Sequence, residues 1–468
     1  MNDTSATNAD VIIIGGGPAG STAASVLAMQ GRDVLLLEKE KFPREHVGES
    51  LLPYCYPVFQ ELGVLDKMID RFVRKPGARF IARDSRTYTN WCFEHVIKDE
   101  SYLSFHVARA EFDQILLENS REKGARVHEE TRVKDVDLSD PERVLVRAQD
   151  KEGRETEYQA RFLLDASGRS SFVATRKGDR KPHPGLERTA IWSHWKGVKE
   201  LRGGLEDGMT VIMYIGGEKR GWCWLFTLAE DWVTIGAVLD NKSFQAGKKR
   251  LTEAGSKDWK EDLYKQEIFE SDFIRELLDG AHMTMPPMVE GDYSYYSEHK
   301  FSRNFALLGD ANRFVDPIFS SGVYLAMKGS SLAAHALHAY LENRDDTTPM
   351  DAAYEQINGA CDCVHELVRL YYNPHAVNFA EAGHVLQPEN HADALSAGHY
   401  ILAGDFFESH KKYKEFFRLL SDKEYLFKGY KNLVLERPNL NAQTCEERRP
   451  ETVFPPRKHA SMMSAGTQ

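Results

Sequence analysis

Cysteine is scarce in this 468-residue chain: six in all, Cys55, Cys92, Cys223, Cys361, Cys363 and Cys445. No two form a C-x-x-C pair, which removes the common zinc-site and dithiol redox patterns. The one close pair, Cys361 and Cys363, reads as two ordinary thiols on a helix, and no metal site is expected. Such sparse use fits a reducing compartment, so a cytoplasmic location is expected. Long apolar runs are also missing. No stretch reaches the roughly 18 apolar residues of a membrane span. The first ten residues are polar and carry no basic cluster, which argues against a secretory signal. Positive charge is not in excess: 60 Lys and Arg face 71 Asp and Glu, a net charge of −11. That balance argues against a general nucleic-acid or anionic-membrane binder. Internal repeats and low-complexity tracts are absent. What remains is 42% hydrophobic and 11% aromatic, enough to bury a large core, over a length that corresponds to about three ordinary domains.

The pattern predicts an α/β protein: a Rossmann-like dinucleotide-binding domain with a parallel sheet, a second domain with an antiparallel sheet, and a C-terminal helical region. Val11–Ile14 is a β-branched run suited to a strand buried on both faces. The small-residue segment from Ser21 to Gln30 reads as a helix, and Val34–Leu37 as the next strand, which makes a βαβ unit. A helix from Ala110 to Lys123 and strands at Arg126–His128, Val144–Val146 and Phe162–Asp165 continue this domain. Residues 185–300 hold strand-like stretches at Thr210–Ile215, Trp222–Thr227 and Trp232–Val238. Phe305–Leu308 reads as another buried strand, followed by a small-residue helix near 322–342. The division is then 1–9 as a flexible start, 10–75 and 100–184 as the nucleotide domain, and 76–99 and 185–300 as the substrate-side sheet. It continues with 301–345 returning to the nucleotide domain, 346–436 as the helical region, and 437–468 as a poorly ordered tail.

Gly15, Gly17 and Gly20 match G-x-G-x-x-G between a strand and a helix, and Glu38 closes the following strand at about the expected 20-residue distance. Gly15 allows the tight turn, Gly17 lets the backbone approach a pyrophosphate, and Gly20 lets helix and strand pack closely. The helix start offers unpaired N–H groups and the positive end of its dipole to phosphates. Glu38 can accept hydrogen bonds from a ribose 2′-hydroxyl. Two further strand ends separate FAD from NAD. Asp165-Ala-Ser-Gly168 follows one apolar strand, and Gly309-Asp310 follows another. An acid near a glycine and a helix start suits a ribityl chain with a helix dipole behind a flavin ring, so FAD is the expected cofactor.

In order, the glycine turn, Arg109-Ala-Glu-Phe-Asp113, Asp165-Ala-Ser-Gly168 and Gly309-Asp310 resemble the FAD-dependent aromatic hydroxylase fold over roughly residues 10–340. The resemblance implies that Arg109 contacts the phosphate or ribose side of FAD and that Asp310 binds its ribityl chain. Hydroxylases, halogenases and prenyl-chain reductases share this fold, so it does not settle the reaction.

Three segments resemble the flavin-dependent halogenases of phenols and pyrroles. His46-Val-Gly-Glu49-Ser50 with Pro53 is similar to their H-V-G-E-S-x-x-P segment. Lys75, ahead of Gly77-Ala-Arg-Phe80, stands where they carry an essential lysine. Asp316-Pro317-Ile-Phe-Ser-Ser321-Gly322-Val323 resembles their flavin-side halide loop. The resemblance implies cofactor contacts from Gly15, Gly17, Ala19, Gly20, Glu38, Arg44, Glu49, Ser50, Arg109, Asp165, Gly168, Asp310, Pro317, Gly322 and Val323. It implies a halide held by backbone N–H groups at Ser321 and Gly322, where a loop enters a helix. With reduced FAD, O2 and chloride or bromide, the product is hypohalous acid. Lys75 then hydrogen-bonds it or forms a haloamine and delivers it to an electron-rich ring, a phenol or pyrrole, free or on a carrier protein. The resemblance implies a separate flavin reductase as partner; no second nucleotide motif appears, which two-component enzymes and single-component hydroxylases of this fold share. Neither His46 nor His106 is offered as a base.

Two departures stand out. Phe319 occupies the position at which tryptophan halogenases carry a glutamate, which favours an activated ring over a free indole. Only half of the W-x-W-x-I-P signature is present: Trp222 and Trp224 share one strand face by period two, but Leu225-Phe-Thr227 replaces the rest. In the halogenases these tryptophans keep substrate off the flavin, so an aromatic monooxygenase stays open as the alternative. A prenyl-chain reductase and a non-catalytic flavin binder are the remaining readings.

Overall fold

The structure, a computed structural model, describes residues 7–215, 221–291, 294–376, 378–386, 388–413, 417, 445 and 450–455. Its first sheet has seven strands. Arg126–His128, Val34–Leu37, Asn8–Ile14 and Glu155–Asp165 lie side by side and parallel, and Phe305–Leu307 pairs in parallel with the end of the last. The first half of Glu155–Asp165 pairs antiparallel with Val144–Gln149, which pairs with Arg132–Asp137. Alternation along the inner strands divides the apolar residues. Val11, Ile13, Val34 and Leu36 face one core cluster, and Ile12, Ile14, Leu35 and Leu37 the other, as strands covered on both faces require. The glycine turn, Glu38, Asp165 and Asp310 all follow the carboxyl ends of parallel strands, the edge where ligands of open α/β sheets bind.

Helix Pro18–Met29 begins with Pro18 in its first turn, which needs no N–H there. Its small residues Ala19, Ala23 and Ala24 are buried in the main core, and it packs on Arg109–Glu122 and on Gly322–Glu342.

The second sheet has eight strands. Arg188–Lys196, Trp232–Asp240, Trp222–Ala229 and Thr210–Tyr214 run antiparallel in that order. The expectation of a purely antiparallel sheet is corrected at one edge: Thr210–Tyr214 pairs in parallel with Gly77–Ile81, which then pairs antiparallel with Tyr88–Cys92. Trp192, Ile212, Trp222, Trp224 and Phe226 turn toward the main core. Ile191, Val211, Cys223, Leu225 and Ile235 turn to the opposite face. Three helices, Asn241–Glu253, Trp259–Ile268 and Asp272–Leu277, lie within the stretch read from sequence as sheet. Asp240, Asp258 and Ser271 cap them by accepting backbone N–H bonds.

Helix Thr348–Tyr372 packs along Gly322–Glu342, and Ala382–Val385 and Pro388–Ala403 follow. Two boundary expectations need correction. The chain already pairs as a strand at Asn8 and Ala9, opposite Gln159 and Ala160, so the flexible start does not extend through residue 9. The tail is docked where it is described. Cys445 forms a disulfide with Cys92, which the unpatterned cysteines did not lead us to expect, and Val453 is fully buried, with Gly208 beside it. The rest of the tail lies outside the described residues. Cys361 and Cys363 are free and buried on their helix, as expected. Among the described residues no helix is long and apolar enough to cross a membrane.

Candidate active site

The glycine turn is built without room for side chains. Gly15 has φ of +99°, and a Cβ there would sit 2.5 Å from the carbonyl oxygen of Ala166. A Cβ on Gly20 would fall 1.9 Å from the carbonyl oxygen of Gly15. Gly17 is different: a Cβ would meet only the Arg44 guanidinium, at 3.5 Å. The start of helix Pro18–Met29 is therefore faced by a cation, the arrangement a pyrophosphate needs. Glu38 is buried and accepts N–H bonds from Gly16 at 2.7 Å and Glu40 at 2.8 Å. Ala19 packs near Gly309, and both residues are small enough to bring the strand end of Asp310 against the helix.

Two arginines share one carboxylate. Arg109 forms a bidentate pair with Asp113 at 2.7 and 2.9 Å and also donates to the carbonyls of Val47 and Gly48. Arg44 lies 3.3 Å from the same Asp113. Asp165 accepts N–H bonds from Ser167 and Val173 and so braces its own turn. Gly168, with φ of +62°, opens the short turn that follows. The Asp310 carboxylate has no hydrogen-bond partner among the described residues, and burial pushes its pKa up to about 6, against the pull of Arg169 and Arg109. An open glycine cradle, a strand-end carboxylate, two arginines and a half-buried, unpartnered acid form a donor and acceptor set that FAD fits.

Lys75 ends the short strand Val73–Lys75 and is only 2% exposed. Its amine donates to Ser50 Oγ at 2.9 Å and to the Leu51 carbonyl at 3.0 Å, and stands 5.5 Å from the centre of the Phe93 ring. Burial without a carboxylate partner pushes its pKa down to about 7. Ser50 also bonds Thr210 Oγ1 at 2.9 Å, and Thr210 bonds His106 at 2.8 Å. His106 is fully enclosed, and desolvation first, then the nearby Lys75, holds it well below its ordinary range. His46 is held down to about 3, by burial and by Arg109.

The segment Gly48-Glu49-Ser50 joins the lysine to the turn that enters helix Gly322–Glu342. A Cβ on Gly48 would lie 3.8 Å from Val323 Cγ2, in the first turn of helix Gly322–Glu342. Pro317 opens the turn before it, and Ser320 takes a left-handed φ of +55°. That kink leads to Ser321 and Gly322 at the helix start. No side chain caps that start. Asp316, buried, accepts the Ile318 N–H, and desolvation pushes its pKa up to about 7. Trp222 and Trp224 lie on one face with ring centres 5.8 Å apart, as period two predicts. Trp224 fits because residue 236, across the ladder, is glycine: a Cβ there would lie 2.2 Å from the indole. Phe319 is packed among Phe80, Tyr371 and Phe379, at ring distances of 6.3, 5.8 and 5.3 Å.

One pair escaped the sequence entirely. Glu49 Oε1 accepts a hydrogen bond from His194 Nε2 at 2.8 Å, and both are buried. Glu49 leads the influences that raise the His194 pKa against desolvation. The second Glu49 oxygen has no partner among the described residues. Nothing local marks His194, since its role comes from a contact across 145 residues.

The FAD binding domain family matches residues 8–358. The 1H-pyrrole-2-carbonyl-[peptidyl-carrier protein] chlorinase of Pseudomonas fluorescens is 31% identical, over 90% of this chain and 96% of its own. This chain belongs to the flavin-dependent halogenases. A tryptophan 2-halogenase of Chondromyces crocatus is 33% identical over 74% of this halogenase and 64% of its own length. The solved myxobacterial chondrochloren halogenase CndH superposes with a TM-score of 0.69 at 30% identity, covering 90% of this chain and 97% of its own. The enzyme is thus an FAD-dependent oxidoreductase of the halogenating kind.

Proposed function

We propose that this halogenase makes hypohalous acid at its flavin and delivers it through Lys75 to an electron-rich ring, a phenol or a pyrrole, free or tethered to a carrier protein. The observation that carries the reading is the Lys75 amine: enclosed, without a carboxylate partner, and with a pKa near 7. Gly17 with the helix start and Arg44 hold the pyrophosphate, and Glu38 holds the ribose. Asp310 binds the ribityl chain. Gly15, Ala19, Gly20, Glu49, Ser50, Arg109, Asp165, Gly168, Pro317 and Val323 shape the remaining cofactor surface. When bound and reduced by a separate flavin reductase, FAD supplies with O2 the oxidising power that turns chloride or bromide into hypohalous acid.

The chain's own residues do the rest. Backbone N–H groups of Ser321 and Gly322 hold the halide without a full positive charge. Neutral Lys75 attacks the halogen of hypohalous acid: an N–halogen bond forms, the O–halogen bond breaks, and water leaves. Its two N–H groups already point at Ser50 and Leu51, which leaves the lone pair for this attack. Trp222 and Trp224 wall the substrate off from the flavin. The apolar Phe319 offers a developing arenium ion no carboxylate, which supports a ring activated by its own oxygen or nitrogen. The pyrrole-carrier relative supports a tethered substrate as much as a free one.

Mass spectrometry of products from a phenol, a free pyrrole and a carrier-bound pyrrole thioester tests this. The reaction contains FAD, a generic flavin reductase, NADH, O2 and bromide. A bromine isotope doublet on the aromatic product is expected. An oxygenated product formed without regard to halide contradicts the proposal.

A further inference from the structure

The long helix Thr348–Tyr372, which opens the C-terminal helical region, ends inside the site. The Tyr372 hydroxyl lies 2.9 Å from the Trp222 indole nitrogen and 3.1 Å from Asp316 Oδ2. The other Asp316 oxygen accepts the Ile318 N–H at 3.0 Å. The Arg188 guanidinium stands over the face of the Tyr372 ring, 4.4 Å from its centre. Trp222 is 1% and Asp316 2% exposed, so water cannot replace these bonds freely.

The chemistry of the three groups sets the direction of the chain. An indole N–H can only donate, so the phenol oxygen accepts it and the single phenol proton is left for Asp316. With the carboxyl ionised, Asp316 Oδ2 accepts it. The chain ties together three separate elements: the tryptophan strand Trp222–Ala229, the end of helix Thr348–Tyr372, and the residue that begins the loop leading to Ser321 and Gly322.

We infer that Tyr372 is a positioning residue for halogenation: its hydroxyl sets the halide loop against the tryptophan wall by bonding Trp222 and Asp316 at once. This rests on the reading of Ser321 and Gly322 as the halide site. It gives helix Thr348–Tyr372 a part in the chemistry. Without the hydroxyl, a buried indole donor and a carboxylate oxygen both lose their partner, and the loop is released from the wall.

The test uses Tyr372→Phe, Trp222→Phe and the double variant, each loaded with oxidised FAD. Iodide affinity is read by quenching of flavin fluorescence, and the bromide KM and kcat are read in turnover. Tyr372→Phe is expected to weaken iodide binding and raise the bromide KM by about five- to tenfold, the scale of one hydrogen bond. FAD affinity should stay within about twofold. On the Trp222→Phe background the same change should add little, because the two act as one unit. Unchanged iodide affinity in Tyr372→Phe overturns the inference, and so does an equal effect with and without Trp222. If Tyr372→Phe does not bind FAD, Trp222→Phe alone carries the test and must itself weaken iodide binding. Wild-type protein that binds no iodide saturably instead removes the halide site, and the positioning role with it.

Discussion

The amine of Lys75 lies 2.9 Å from the hydroxyl of Ser50. That one contact joins the two halves of the site, because Ser50 is two residues from Gly48, which faces Val323 at the start of helix Gly322–Glu342. Two residues of chain span at most about 7 Å. Under the delivery route proposed above, an oxidant formed beside that helix would reach the amine along this segment, and proximity contributes much of the rate in such sites.

Replacing Lys75 by methionine keeps the length and removes the nitrogen. Halogenation is expected to fall by at least about 100-fold, the scale on which positioned catalytic groups act. FAD binding should survive, because Lys75 touches Ser50, Leu51 and Phe93 and none of the glycine turn. Product yield and flavin titration on the same preparation check both statements.

The stability of the protein should report the same burial. The Lys75 pKa is pushed from 10.5 down to about 7 by desolvation. Between those values the unfolded chain holds a proton that the folded chain has lost, so stability rises with pH through this window. Urea melts of Lys75→Met from pH 7 to 10.5 should show a flatter rise than wild type.

Asp316 should act with the opposite sign. Burial lifts its pKa from 3.8 to about 7, while the Ile318 N–H, Tyr372 and Arg188 pull it down. The folded chain keeps a proton there that the unfolded chain has released, so this residue's contribution is lost as pH rises from about 4 to 7. Asp316→Asn should weaken that decline, as seen in melting temperature against pH.

Two glycines are expected to tolerate no side chain. Gly20→Ala places a Cβ 1.9 Å from the Gly15 carbonyl oxygen, so FAD binding should be lost and the melting temperature should fall. Gly236→Ala places one 2.2 Å from the Trp224 ring and should push that indole out of the wall. More oxidant is then expected to escape as free hypohalite, measured with a scavenger dye, for each turnover of NADH.

The strands and helices that carry the cofactor were legible because local signals and tertiary demands agree there. Val11–Ile14 is apolar at every position and flows directly into the glycine turn, so strand, turn and helix follow one another in one short stretch of sequence. The helix opening at Gly322 was legible for the same reason. The three helices between Asn241 and Leu277 were not read from sequence, although Asp240, Asp258 and Ser271 mark their starts. Lys75 was placed by its flanking residues, and only the fold explains its low pKa. Contacts that cross the chain left no local mark. Glu49 with His194, Tyr372 with Asp316, and Cys92 with Cys445 each pair residues whose neighbours in sequence give no hint of the partner.

The most direct test follows the halogen itself. With bromide, FAD, reductase, NADH and O2, wild-type enzyme and Lys75→Met are compared for two products: brominated aromatic and hypobromite released to a scavenger. The account expects wild type to brominate the aromatic, and Lys75→Met to release hypobromite while the aromatic stays unmodified. Bromination by Lys75→Met at near the wild-type rate and position would contradict it.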